Sequence, residues 1–166
     1  MTADFITATR TFYDAIAYDY ADRFRTEFTD RPAEKAMLGV LAELVGTGGE
    51  VAERRFVQGS MLELEVADGA LDGLPCRYSS IHAPDDRLPL LFRGFERVPK
   101  PGGHLLPAFQ MGDVARRPER MAGLPRDAGF DLRSTTVREP DEALGETSPQ
   151  AFLPAARRPG AEPVAG

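Results

Sequence analysis

The chain has 166 residues, 42% hydrophobic and 28% charged, with a net charge of −6, which suits one globular domain burying roughly 68–70% of its unfolded surface. The acidic balance argues against a face that binds phosphate backbones, and no apolar run approaches the roughly 18–20 residues of a membrane span. Cys76 is the only cysteine, which excludes an internal disulfide and a multi-cysteine metal site; MTADFITATRTFYD lacks the apolar core of a secretory signal, so a cytoplasmic, metal-independent protein is expected.

Phe12, Ile16, Tyr20 and Phe24 recur four apart and predict an amphipathic first helix over 7–28. A second helix opens on Pro32, a favourable first-turn proline, and runs to Gly46 with Met37, Leu38, Leu41, Leu44 and Val45 as its stripe. The next segment, GGEVAERRFVQGSM, holds the start of one strand joined with almost no spacer to another, Arg55–Gln58. Parallel strands need a crossover of a dozen or more residues and cannot be joined so tightly, which raises the question of what belongs between these two pieces.

A short strand is expected around Leu74–Tyr78, although Pro75 cannot donate to a ladder. Asp85 or Asp86 then caps a helix whose buried side is Leu88, Leu91, Phe92 and Phe95. Lys100-Pro-Gly-Gly103 reads as a turn and His104–Gln110 as a strand, with Pro107 breaking one ladder bond. A helix over Pro118–Ala128 ends at Gly129, a residue suited to a left-handed cap. Pro125 inside that helix costs about 3 kcal/mol. Phe130–Glu139 and Gln150–Arg157 read as two antiparallel strands joined by an acidic, polar loop. The alternation argues for an α/β layered fold, with ligands beyond the carboxyl ends of its strands, which directs attention to Gly59-Ser60-Met61, to Tyr78–His82 and to Gln110-Met111. Gln110 at its strand's end either reaches substrate or is an ordinary polar strand end. The domain is expected to span 1–157, with helices over 4–46 and a truncated core over 47–157. Residues 158–166 are rich in proline, glycine and alanine and read as a disordered tail. Arg157 and Arg158 are read as solvated side chains of that tail.

Glu96-Arg97-Val98-Pro99-Lys100-Pro101-Gly102-Gly103-His104-Leu105-Leu106 resembles the "RVLKPGG" turn of class I S-adenosylmethionine-dependent methyltransferases of the small-molecule type. Arg126-Asp127-Ala128-Gly129-Phe130 is similar to that family's "LLxxAGF" corner. Phe12-Tyr13-Asp14 with Tyr18, Tyr20 and Ala21 is similar to its N-terminal "YDxxAxxYA" helix. The resemblance covers most of residues 10–156. It implies a Rossmann-like sheet of six parallel strands and one reversed, with S-adenosylmethionine at the strand ends and a small-molecule methyl acceptor. Against that pattern the chain passes from the first strand directly to the third. The glycine-rich cofactor loop, the ribose-binding acid and two helices are absent, so the sheet is expected to be incomplete. Gly46-x-Gly48-Gly49 has neither the full glycine spacing nor a preceding strand.

By the same resemblance, Ser60 and Met61 match the loop beside the adenine; the other reading is an ordinary turn. Tyr78 and Ser79 match positions lining the cofactor's methionine side, and otherwise pack at a strand end. Tyr13 and Tyr20 either close over the cofactor or belong to the core stripe. His82 stands where the family often has a pocket-facing histidine, a general base near neutral pH or a packing residue. His104 and Cys76 read as structural. Two functions follow: methyl transfer from S-adenosylmethionine to a small molecule, or a non-catalytic methyltransferase-like scaffold prone to homo-oligomerise through exposed apolar sheet.

Overall fold

The computed structural model describes residues 7, 11, 15, 31–49, 59–112 and 117–160. Tyr13, Tyr20 and the expected strand Arg55–Gln58 lie outside them. The chain divides into two compact units, Met1–Val40 and Leu41–Gly166.

In the first unit Thr7, Thr11 and Ala15 are helical and exposed. The Thr11 hydroxyl donates to the Thr7 carbonyl at 2.9 Å, the i−4 back-bond of a helical threonine. Glu34, 1% exposed, has the Arg31 guanidinium 3.8 Å away, one helical turn earlier.

Helix α1 spans Pro32–Val45, opening on the proline as its spacing predicts. Gly46 ends it with φ +76°, a conformation that costs glycine nothing, and donates its N–H to the Ala42 carbonyl at 3.0 Å.

Among the described residues, the second unit is built on a sheet of six strands: β1 (Leu71–Arg77), β2 (Pro99–Gln110), β3 (Phe130–Leu132), β4 (Thr136–Arg138), β5 (Gln150–Phe152) and β6 (Ala155–Arg157). Strand β2 is its centre. It pairs parallel with β1 on one side and antiparallel with β5 and β6 on the other. β3 lies outside β6, and β4 outside β5. The expected C-terminal antiparallel pair is therefore present, with each strand divided in two.

The division has a chemical cause. Pro107 of β2 lies opposite Leu153, which donates its N–H to the Pro107 carbonyl at 3.0 Å; the proline has no N–H to return. Pro154 stands beside it and lacks a donor on the other side, where its carbonyl accepts from Arg133 at 2.7 Å. The two deficits meet at one point. There Arg133–Thr135 oppose only Leu153–Pro154, since Leu132 pairs with Ala155 and Thr136 with Phe152. This is a bulge of one extra residue. The break expected in β2 is thus displaced into its partner, and β2 itself runs unbroken through Pro107.

Pro75 is accommodated differently. Tyr78 donates to the Ala108 carbonyl at 2.7 Å. Because backbone groups alternate along a strand, Leu74 and Cys76 turn theirs toward β2, and Pro75 turns its missing donor to the side away from β2, which among the described residues is an outer edge, where a strand tolerates proline. The Lys100–Gly103 turn survives inside β2 as an excursion: Leu71 pairs with Pro99, yet Gly73 pairs with His104. A Cβ on Gly103 would stand 2.9 Å from the Lys100 carbonyl oxygen, so the backbone folds over this position only because it is glycine.

Helices α2 (Leu88–Arg97) and α3 (Pro118–Asp127) cover one sheet face. Leu88, Leu91, Phe92 and Phe95 are all buried, as their spacing predicts, and pack with Leu105, Phe109, Met121, Ala122 and Phe130. Phe92 and Phe95 meet edge to face at 5.5 Å, a geometry worth about 0.5–1.5 kcal/mol beyond the area buried. Pro125 sits in the last turns of α3, buried, and the helix continues to Asp127. Gly129 follows with φ +101°, as expected of the cap. On the opposite face, the C-terminal end of α1 lies against β1: a Cβ on Gly73 would stand 2.6 Å from Val45 and 3.3 Å from Leu41.

Two expectations are corrected. Asp85 and Asp86 do not cap α2; they lie in a turn closed by Arg87 N–H to the Pro84 carbonyl at 2.9 Å. The helix starts at Leu88 with Arg87 as its N-cap and no side-chain cap bond. Arg157 is no tail residue: it is 6% exposed and donates to Glu96 Oε1 at 2.6 Å and to the Pro99 carbonyl at 2.7 Å. Nothing local in the sequence marks this arginine as internal. Arg158 is half-exposed and also tied in, donating to Asp131 at 2.9 Å.

Candidate functional site at the carboxyl edge of the sheet

Because β1 and β2 are parallel, with Arg77 beside Ala108, their carboxyl ends open on the same edge. Five of the sequence-predicted residues are among those described, and three of them, Tyr78, Ser79 and His82, follow β1 at this edge. Tyr78 ends the β1 ladder with φ +52°, a left-handed conformation that costs a non-glycine residue of order 1–3 kcal/mol. That turn sends the chain into one 3-10 turn, Ser80–His82. His82, half-buried, donates its backbone N–H to the Ser79 carbonyl at 3.1 Å, and Ala83 does the same to Ser80 at 3.2 Å. The Arg77 guanidinium lies 5.7 Å from the centre of the Tyr78 ring.

Ser79 turns its hydroxyl to Cys76 Sγ at 3.1 Å instead of capping the turn. The Cys76 thiol is pushed up to about 11, because burial disfavours the thiolate more than the Ser79 hydroxyl and the Ser80 backbone favour it. Cys76 is a small buried side chain, as its place in the strand predicts.

Ser60 is exposed and closes a tight turn: its carbonyl accepts from Glu63 at 3.1 Å and its hydroxyl from Leu62 at 3.2 Å. Met61 is half-buried and packs on the same apolar cluster as Ile81 and Met111. Arg97 holds this loop down from α2, donating to the Leu64 carbonyl at 2.7 Å, to Val66 at 2.6 Å and to the Asp68 carboxylate. Tyr13 and Tyr20 lie outside the described residues.

The edge has a second wall, of which the sequence pointed only to Gln110, by its place at a strand's end. Arg138, Gln150 and Gln110 stand side by side in register on β4, β5 and β2. Between them, the 139–149 loop is fastened by Glu146, which accepts two bonds from Arg138 at 2.7 and 2.8 Å and one from the Asp141 N–H at 2.8 Å. Met111 N–H bonds the Pro149 carbonyl at 2.8 Å. The acidic run reads from sequence only as a solvated loop, because the register that faces it to Gln110 is non-local.

Gly46-x-Gly48-Gly49 lies elsewhere. Gly46 and Gly48 have φ +76° and +90°, and a Cβ on Gly49 would meet Val45 at 2.2 Å and Asp72 at 3.4 Å. These glycines terminate α1 beside Asp72, toward the amino end of β1, and do not form a cofactor loop at the carboxyl edge. The same end holds a shallow cleft of about 230 Å³ lined by Leu44, Val45, Asp72, Lys100, Gly103 and His104. It is on the wrong side of the sheet for a ligand of such a fold, and Lys100 and Asp72 there bond each other at 2.8 Å. His104 is structural, as expected: its ring bonds the Leu44 main chain, while burial and then Arg133 pull its protonation below the usual histidine range. Among the described residues there is no group of three metal-ligating side chains, and no helix is long and apolar enough to cross a membrane.

No protein-family model and no curated protein matches the sequence. Solved structures do match. The Burkholderia thailandensis 1,6-didemethyltoxoflavin-N1-methyltransferase, with 1,6-didemethyltoxoflavin and S-adenosylhomocysteine bound, aligns at TM-score 0.69 and 16% identity over 95% of this chain and 91% of that one. The [4+2]-cyclase SpnF aligns at 0.51 and 16% identity over 63% of this chain. A methyltransferase from Methanosarcina mazei aligns at 0.50 and 14% identity over 61% of this chain. This chain spans 56% of the cyclase and 66% of the M. mazei protein. At these identities the likeness is one of fold, and a cyclase among the matches illustrates that fold alone does not fix chemistry.

Proposed function

We propose that this chain, which has the class I methyltransferase fold, transfers a methyl group from S-adenosylmethionine to a small-molecule acceptor held at the carboxyl edge of its sheet. The reading is carried by the sheet itself: a parallel β1–β2 pair flanked by a reversed strand and a further antiparallel neighbour, matched over nearly the whole of both chains to an N-methyltransferase with S-adenosylhomocysteine bound.

Ser60, Met61, Tyr78 and Ser79 are the residues that would hold the cofactor, which supplies an electrophilic methyl group on a sulfonium. The strained Tyr78 backbone supports this, because left-handed non-glycine residues concentrate at ligand clamps. The chain's own tasks are to orient the acceptor, exclude water and accept a proton where the acceptor must lose one. His82, on the turn that follows Tyr78, is assigned the proton.

A specific observation favours a second reading, a non-catalytic scaffold. The glycine-rich turn Gly46-x-Gly48-Gly49 caps α1 beside Asp72 and does not lie at the carboxyl edge. Calorimetric titration with S-adenosylhomocysteine separates the two. Saturable heat supports the enzyme, whereas none at high micromolar ligand, with a self-associating protein in sedimentation, supports the scaffold.

A further inference from the structure

We infer that Gln150, together with Gln110, selects a neutral acceptor that presents a ring or amide N–H, and that the 139–149 loop excludes anionic ones. The inference rests on the methyltransferase reading and names its acceptor class.

Gln150 is 1% exposed. Its amide nitrogen donates to the Ser148 carbonyl at 2.9 Å, so the side chain lies against the base of the 139–149 loop. Its Oε1 is buried without any partner. Buried polar atoms are satisfied in the large majority of cases, and each exception calls for a reason. Here the reason lies in the position: the first residue of β5, directly opposite Gln110, the exposed last residue of β2. Residues in direct register share a sheet face, so the two amides lie side by side at the carboxyl edge where the fold puts its ligands. An orphaned carbonyl oxygen can only accept, so its missing partner is an N–H or O–H. The Gln110 side chain, exposed in the register position beside it, offers a second amide.

Charge supplies the other half. From Arg138 to Pro149 the chain carries Glu139, Asp141, Glu142 and Glu146 against a single arginine, and that arginine is bound in a two-pronged bond by Glu146. A carboxylate or phosphate entering here meets a like-charged wall, while a neutral N–H-bearing ring meets an acceptor without a partner.

The test uses the full chain and calorimetry in the presence of S-adenosylhomocysteine. Lumazine, a neutral bicycle with two ring N–H groups, is compared with quinoline-2-carboxylate, an anion of similar size with no N–H. Lumazine should bind and the carboxylate should not. Gln150→Met, which keeps the shape and removes the orphaned oxygen, should melt no lower than the native chain. It should weaken lumazine about tenfold, the scale of one hydrogen bond, with S-adenosylhomocysteine binding unchanged. Gln110→Leu, at an exposed position that folding does not depend on, carries the same expectation. Absence of lumazine binding, equal binding of quinoline-2-carboxylate, or native affinity in both variants overturns the inference; the last outcome assigns the oxygen to a buried water. Loss of S-adenosylhomocysteine binding with lumazine selectivity intact removes the methyltransferase reading and leaves the amide pair standing.

Discussion

Arg157 Nε donates to Glu96 Oε1 at 2.6 Å across 61 residues of sequence, with both side chains almost wholly buried. The pair ties the last turn of α2 to β6, and the Arg157 bond to the Pro99 carbonyl adds the start of β2. Glu96 also lies under Gly129, where a Cβ would approach it to 3.3 Å. The motif that most resembles the methyltransferase family is therefore largely architectural. Glu96 holds Arg157, Arg97 holds the 64–68 segment, and Gly103 permits the turn.

Breaking that pair from one side leaves a buried charge unmatched. Arg157→Met or Glu96→Leu alone should each cost about 3–5 kcal/mol in urea unfolding. The double variant should recover much of the loss, since replacing both charges removes the desolvation penalty with them. Equal loss in the double variant would mean that packing, not charge, is what these positions supply.

Two glycines should respond in opposite directions. Gly103→Ala drives a Cβ against Lys100 backbone atoms at 2.9 and 3.1 Å, which cannot rotate away, and should cost about 1–3 kcal/mol. Gly123→Ala, in α3 with open space around its Cβ, should add roughly 0.5–1 kcal/mol through helix propensity. Thermal melts of both variants check the sign in each case.

Stability should fall as the solution is acidified through the histidine range. The His104 protonation constant lies below its ordinary value of 6.5 in the folded chain, so the unfolded chain binds the proton first and acid favours unfolding. Its contribution is complete above pH 6.5 and fades as pH drops through the lower folded value. Melting temperatures from pH 7.5 to 5 should show a shallower slope in His104→Gln than in the native chain.

Cys76, with its thiol pushed up to about 11 by burial, should resist a thiol reagent at pH 8 in the native chain and react promptly in denaturant. Thiolate is the reacting species. Rapid native reaction would show that the β1 end opens on its own.

Much of the fold was readable in advance. The α2 apolar set and the two C-terminal strands follow from periodicity, since the 3.6 and 2.0 repeats report which residues must leave water; of the α1 stripe Leu41 is buried, but Leu44 is 44% exposed. The Lys-Pro-Gly-Gly turn and Gly129 follow from backbone sterics. The prolines were legible only as difficulties: sequence marks a missing donor but not the neighbour it faces. Pro75 turns its deficit to the side away from β2, and Pro107 and Pro154 concentrate theirs in one bulge.

The site divides along the same line. The place of Tyr78, Ser79 and His82 at this edge follows from counting to a strand's end, while Ser60 and Met61 rest on resemblance. Glu96 with Arg157, Arg138 with Glu146 and Gln150 beside Gln110 could not, for each depends on strands distant in the chain coming into register. A sequence by itself determines which segments bury apolar surface and where the backbone must bend. Which polar groups then face one another in a dry interior is decided by the pairing of strands, and only the tertiary structure fixes that.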